Sequence, residues 1–275
     1  PAVGGLGTVL RLGRRTHSMV TEKARPATPE TLPILYRDER LVVVDKPSGL
    51  LVHRSPIDRH ETRFALQILR DQLGQRVYTV HRLDKGTSGA LAFALDPQAA
   101  REYMAAFAQR AVKKTYLALV RGWPSPTGII ERPLSAIEDD RVAPRSVEPR
   151  EARTTFTRIA TFELPLRVDR YPSSRYALVE LTPHTGRRHQ LRRHLASESH
   201  PIVGDSTYGK GKHNRLFRDL FGVPRLLLAC TRLEFTPPAS ATTLRVEAPL
   251  AAEFAGLLTR LGTQYAADPL SSPSP

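Results

Sequence analysis

The stretch best equipped for chemistry is residues 77–95, VYTVHRLDKGTSGALAFAL, where a polar centre lies between two apolar runs. Val77 to Val80 and Ala90 to Leu95 have the length and composition of strands, and His81, Arg82, Asp84, Lys85, Thr87 and Ser88 fill the gap between them. Alternation puts Arg82 and Asp84 on one face and Leu83 on the other, so a carboxylate stands beside a guanidinium at a strand end. Gly86 and Gly89, with the hydroxyl residues they enclose, favour a turn that leaves Asp84 at the mouth of a cleft. An aspartate at a strand end ordinarily caps a turn. Whether this one acts as nucleophile or base depends on what the rest of the chain brings to it.

Two further blocks are candidates. AVKKTYLALVRGW at 111–123 reads as a strand with Thr115, Leu117 and Leu119 on one face and Tyr116, Ala118 and Val120 on the other, opened by Lys113 and Lys114. Tyr116 is either a core residue with a hydrogen-bonded hydroxyl or a side chain that reaches a ligand. PHTGRRHQLRRHLASESHPIVGDSTYG at 183–209 predicts a helix from Arg187 to Ala196 with Leu191 and Leu195 buried. On a helical wheel Arg192 lies about 60–100° from those leucines, so it can lean into a cleft, whereas His189 and Arg193 point outward. Arg187, Arg188 and Arg193 read as a solvated basic face with phosphates as counterions.

Charge narrows the partner. The 275 residues hold 41 Lys and Arg against 27 Asp and Glu, a net charge of +14 that points to a polyanion. Nucleic acid is favoured over an anionic membrane, because no basic amphipathic anchor and no apolar run of roughly 18 residues is present. Charge alone also allows a basic structural or DNA-associated protein. The single cysteine, Cys230, excludes an internal disulfide, fits a reducing, cytoplasmic compartment, and in RLLLACTRL reads as a buried structural thiol.

No metal or nucleotide cofactor is expected. Of nine histidines, His189 and His194 would sit about 140° apart on a helix, not at the four-residue spacing that aligns two ligands. H-E-x-x-H, C-x-x-C, Walker and G-x-G-x-x-G patterns are all missing.

The supporting elements read as follows. Residues 1–32 form a low-complexity leader, of which 1–18 precede Met19 and are expected not to be translated; residues 33–262 form the functional domain; residues 263–275 are a disordered tail. Strands are predicted at 34–36, 41–45, 154–162, 175–181, 226–235 and 243–246, with Lys46-Pro47-Ser48-Gly49 closing the second. Helices are predicted at 63–73 with Thr62 as N-cap, from Pro97 with Asp96 as N-cap, and at 250–261. In the second of these, Ala100, Tyr103, Met104 and Phe107 recur at helical spacing, and the aromatics are expected in the core rather than as a platform for a base. Residues 125–150 read as a surface excursion. The pattern is α+β: a mixed, largely antiparallel central sheet with flanking helices and a cleft that holds Asp84.

HRLDKGTSG at 81–89, KKTYLALVRG at 113–122, and TGRRHQLRRHL with HPIVGDSTYG at 185–209 resemble the signature regions of the RluA-type pseudouridine synthases, and YRDERLVVVDKPSGLLVH at 36–53 resembles their opening. The resemblance spans roughly residues 33–260. VHRSPIDRHE at 52–61 and RYPSSRYALVEL at 170–181 are most similar to a branch that isomerises uridine 65 of tRNA; other relatives modify ribosomal RNA. It implies the pseudouridine synthase fold and an isomerase without cofactor, working as a monomer on RNA. It makes Asp84 the catalytic aspartate, Tyr116 the active-site tyrosine and Arg192 the basic partner of the aspartate. Arg82 would enter the stack vacated by the flipped uridine, and Leu191 would line the pocket under the base. His81, Lys85, Lys113, Lys114, Arg187 and Arg188 complete the expected RNA contacts. An opposite charge within about 4–6 Å lowers a carboxyl pKa by about one to three units, which is the task expected of Arg192. A non-catalytic RNA-binding protein on the same fold would carry the charge without needing Asp84, Tyr116 and Arg192 together.

Overall fold

Period-2 runs become strands close to where the sequence places them. The structure, a computed structural model, describes residues 1–2, 30–54, 60–137, 148–238 and 240–267. Most of the expected leader, the tail from 268, and parts of the 52–61 segment and of the expected excursion at 125–150 lie outside the described residues. In chain order the elements are β1 (Ile34–Arg37), β2 (Leu41–Lys46), α1 (Ala65–Leu73), β3 (Tyr78–Thr79), β4 (Ser88–Ala94), α2 (Pro97–Ala108), β5 (Lys113–Arg121), β6 (Thr127–Glu131), β7 (Arg153–Leu164), β8 (Ser174–Pro183), α3 (Gln190–Ser197), α4 (Gly211–Phe221), β9 (Leu228–Phe235), β10 (Leu244–Glu247) and α5 (Ala252–Tyr265).

The strands form one mixed sheet in the order β1-β2-β4-β9-β5-β8-β7-β6, with β10 on β9 and β3 on β4. Every pairing is antiparallel except β4 with β9, which is parallel and spans only Ser88↔Ala229 and Gly89↔Cys230. This short seam joins two antiparallel halves. Gly89 permits it: its φ is +104°, and a Cβ there would lie 2.0 Å from the Cys230 carbonyl oxygen.

β5 runs through the middle and alternates as its sequence predicts. Tyr116, Ala118 and Val120 join one core with Leu191 and Leu195 of α3, whereas Leu119 joins a second core under α4 and α5, with Phe217, Phe254 and Leu257. Tyr116 thereby shares a face with the helix that carries Arg192.

Several expectations need correction. α1 starts at Ala65, and its N-cap position is Phe64 rather than Thr62, with no side-chain cap. Phe64 is extended and bridged to Leu51, and the Leu51 and Val52 carbonyls accept from Ala65 and Leu66 N–H, so strand-like pairing satisfies the groups a side-chain cap would serve. The Asp96 cap of α2 holds, accepting from Gln98 and Ala99 N–H at 2.8 Å each, with Pro97 first in the helix. Of its aromatics Tyr103 is buried and Phe107 is half-buried against the core, while Met104 is 53% exposed. β6 forms inside the expected excursion by pairing with β7. α4 is unexpected, because charged residues mask its buried face of His213, Phe217 and Phe221 at four-residue spacing. At the ends, Leu32 is clamped to Gln72 by two hydrogen bonds, and α5 continues past 262 to Tyr265.

Candidate active site

Asp84 lies in a loop between β3 and β4, not at the end of a strand. Its backbone is shaped by Lys46-Pro47-Ser48-Gly49. The Thr87 N–H donates to the Asp84 carbonyl at 3.0 Å, the Gly49 N–H to the Lys85 carbonyl at 2.8 Å, and the Ser48 hydroxyl to the Gly86 carbonyl at 2.7 Å. Lys46 is fully buried, and its Nζ donates to the carbonyls of Pro47 (2.9 Å), Leu50 (2.7 Å) and Lys85 (3.2 Å). Burial, with Arg225 nearby, pulls its pKa down to about 7. Three carbonyl acceptors match the three N–H donors of the ammonium form and oppose that shift without cancelling it. A lysine closing the run LVVVDK, whose first four residues are apolar, before a Pro-Ser-Gly turn is the available sequence signal.

Arg192 organises the acids. Its Nη1 lies 3.3 Å from Asp84 Oδ2, while Nε and Nη2 grip Asp205 in a fork at 2.7 and 2.8 Å. The two carboxylates differ in access: Asp205 is 0% exposed and Asp84 26%. Burial opposes the Arg192 charge, and Asp205 and Asp84 together outweigh it, holding the guanidinium above its usual range. Burial likewise raises Asp205, and Arg192 with the Tyr208 and Thr207 N–H groups overcomes it, so this carboxyl sits below its usual range. Sequence reasoning missed Asp205, though an aspartate before Ser-Thr-Tyr is a recognisable Asx turn.

α3 begins at Gln190, three residues later than expected, because Gln190 holds the preceding turn. Its Oε1 accepts from the Thr185 hydroxyl at 2.6 Å and the Arg187 N–H at 3.0 Å, and its Nε2 donates to the Arg153 carbonyl and Thr154 hydroxyl at 3.0 Å each. His189 therefore adopts a left-handed conformation, φ 55°, and faces inward rather than outward. Its Nε2 stands 4.0 Å from Asp84 Oδ1 and its Nδ1 3.1 Å from the Tyr208 hydroxyl. Burial pulls its pKa down, against the pull of Asp84. Tyr208 also lies under the Arg192 guanidinium, 5.1 Å from the ring centre.

A cleft of about 900 Å³ opens here, and Asp84, Tyr116, Arg192, Leu191, Arg82, His81, Lys114, Arg187 and Arg188 all line it. Tyr116, the cross-strand partner of Cys230, is 8% exposed, and burial followed by the thiol raises its hydroxyl well above the ordinary value, so it is a neutral donor. Cys230 is buried, its thiol pushed up to about 12 by burial. Arg82 is exposed on the lining, beside His53. His81 is turned inward: its Nε2 accepts from the Ala92 N–H at 3.0 Å, its ring stacks on Phe107 at 4.4 Å, and burial pulls its pKa down to about 3. Phe107, packed against the core, also lines the cleft, as does Met104. Lys85 and Lys113 lie outside that lining; Lys85 is paired with Glu61 and Lys113 is exposed at the start of β5.

The cleft thus presents one accessible carboxylate, a guanidinium fixed by a second, inaccessible carboxylate, a neutral phenol and a basic rim. A profile of the RNA pseudouridylate synthase family matches residues 40–197, which include Asp84, Tyr116 and Arg192. The chain belongs to the RNA pseudouridylate synthase family. It is 47% identical to the tRNA pseudouridine synthase C of Vibrio cholerae over 85% of this chain and 97% of that one. With the Pasteurella multocida protein of the same name it shares 49% identity over 76% of this chain and 87% of that one. Among solved structures, Human RNA Pseudouridylate Synthase Domain Containing 1 superposes with a TM-score of 0.63 at 27% identity, covering 89% of this chain and all of that one. Human RNA Pseudouridylate Synthase Domain Containing 4 gives 0.63 at 27%, covering 83% and 92%. The synthase fold expected from the sequence is therefore present, with the cleft beside its parallel seam. Among the described residues no helix is long and apolar enough to cross a membrane.

Proposed function

We propose that this synthase isomerises uridine to pseudouridine in tRNA, at uridine 65, as a cytoplasmic monomer. The observation that carries the reading is the placement of Arg192 between an inaccessible carboxylate and the accessible Asp84. A guanidinium needed only for folding would be satisfied by Asp205. Its free corner instead supports a carboxylate that faces a nucleotide-sized cleft.

The reaction breaks the N1–C1′ bond, turns the uracil and joins C5 to C1′. No group leaves and no electrons are exchanged, so the work falls to side chains. Asp84 is the residue that engages the nucleoside, and an ionised carboxylate can open the reaction by adding to C6 or to C1′, or by taking the C2′ proton. Tyr116, held neutral, donates a hydrogen bond to or stacks against the base while it turns. Leu191 offers an apolar floor. Flipping a base out of its stack costs a few kcal/mol, and Arg82, exposed and long enough to extend, recovers part of it by filling the gap. Lys114, Arg187 and Arg188 face the phosphates.

The test is chemical mapping of pseudouridine in a strain lacking the gene, by carbodiimide modification and reverse transcription. Loss of the modification at tRNA position 65, restored by the wild-type gene, supports the reading. Loss confined to ribosomal RNA would replace the substrate and keep the chemistry.

A further inference from the structure

A second cavity, about 680 Å³, opens at the end of β5 and β8 remote from Asp84, between Arg121, the β7–β8 connection and His213 of α4. Tyr116 and Arg121 are five residues apart on β5, about 17 Å along the strand, and alternate to opposite faces of the sheet, so the two cavities are separate. The floor of this cavity is charge-balanced. Buried His213 is held between the Tyr176 hydroxyl at 2.7 Å and Asp169 at 3.0 Å, and Arg121 and Lys212 reach the same carboxylate at 3.3 and 3.9 Å.

The rim is built differently. The Arg175 guanidinium, paired with Glu163 at 3.3 Å, lies 4.3 Å over the Trp123 ring, and that of Arg170 lies 4.7 Å over Tyr171, which is itself 55% exposed. Among the described residues neither Arg167 nor Arg170 has a carboxylate within 4.0 Å; Arg167 donates to a backbone carbonyl and Arg170 to the Tyr171 hydroxyl. A large exposed aromatic and uncompensated arginines contribute nothing to either core. Together they offer what single-stranded or frayed nucleic acid recognises: a π-surface for a base and cations for the phosphates that flank it. The chain itself links this region to the catalytic end. Tyr208 touches His189 and Arg192, and two residues later Lys210 and then Lys212 lead into α4 and to Asp169. The segment RYPSSR at the rim is one the catalytic site does not use.

We propose that the surface patch formed by Arg167, Arg170, Tyr171 and the Arg175–Trp123 pair, beside this cavity, is a second RNA contact that grips substrate outside the catalytic cleft. The proposal rests on the RNA-substrate reading above. It places part of the affinity for a complete tRNA outside the catalytic cleft, so a minimal substrate does not feel it.

The test is steady-state kinetics of the Arg170→Glu, Tyr171→Ala double variant on two substrates: an unmodified tRNA transcript, and a hairpin retaining only the target stem and loop. For the transcript, KM rises on the order of tenfold with kcat within about twofold, and the log–log salt slope becomes shallower by about one for each phosphate no longer neutralised. For the hairpin, wild type and variant coincide. Arg167→Glu, also on an exposed side chain, gives the same pattern and guards against a folding defect in the double variant. An unchanged KM for the transcript, or an equal rise for both substrates, overturns the proposal. Wild-type inactivity on both substrates would instead strike the substrate reading, and the proposal with it.

Discussion

Replacing Arg192 by Ala should damage the protein in two separable ways. The first is structural. Asp205 is 0% exposed, and without the fork at 2.7 and 2.8 Å its charge keeps only the Thr207 and Tyr208 N–H groups at 2.9 and 3.0 Å. Removing one partner of a buried ion pair costs about 3–5 kcal/mol, a large part of the roughly 5–15 kcal/mol that holds a domain together. At about 2–4 °C per kcal/mol for a domain of this size, the melting temperature falls by roughly 6–20 °C. The second is catalytic: Asp84 loses the guanidinium at 3.3 Å, and turnover falls at least about a hundredfold, equivalent to about 2.7 kcal/mol. Arg192→Ala combined with Asp205→Ala separates the two effects. Removing both charges recovers much of the stability, because no uncompensated carboxylate remains, while activity stays lost. Thermal melts with single-turnover pseudouridine formation, the latter below the lowest melting temperature, provide the assay. A double variant as unstable as Arg192→Ala would refute the ion-pair argument, and one with near-normal turnover would refute the catalytic part.

Three further outcomes are expected. Gly89→Ala puts a Cβ 2.0 Å from the Cys230 carbonyl oxygen in a backbone with φ +104°, so it opens the β4–β9 seam; a loss of about 3 kcal/mol or more in urea unfolding is predicted, and a shift under about 1 kcal/mol would contradict it. Lys46 has its folded pKa lowered to about 7 from 10.5, so between these values the unfolded chain binds more protons and stability rises with pH; from pH 7 to 9 wild type should gain about 2 kcal/mol over Lys46→Met, and a constant difference would mean that the three carbonyls keep the ammonium charged. Wild-type binding of tRNA should follow a log K against log salt slope of roughly −4 to −5, as for about six neutralised phosphates, and a flat dependence would leave the basic surface without a role in binding.

Local signals carry far in this chain, and they fail where distant segments decide. β5 is legible face by face because one side of it packs on α3 and the other on α4 and α5, which imposes strict alternation. The Asp96-Pro97 cap is legible because all its partners lie within three residues. His189 is misplaced by a wheel that assumes a helix from Arg187, whereas Gln190 commits its amide to Thr185 and to β7, contacts that no helical period records. α4 is hidden by charges that cover the outside of an apolar stripe. Asp84 and Arg192 are 108 residues apart, and no spacing rule joins them; the resemblance to a family pairs them before the geometry does. Asp205 and Lys46 act through other residues, so neither resembles a catalytic side chain in sequence.

Asp84→Asn is the decisive variant for the role of the carboxylate at position 84 in the isomerisation, since the amide keeps the shape of the side chain while abolishing its charge. Pseudouridine formation should be measured on an unmodified tRNA transcript with enzyme in excess, alongside affinity for the same transcript. No detectable product is predicted over many wild-type half-lives, with affinity within about tenfold of wild type. Product formed at a rate within about tenfold of wild type would contradict that role.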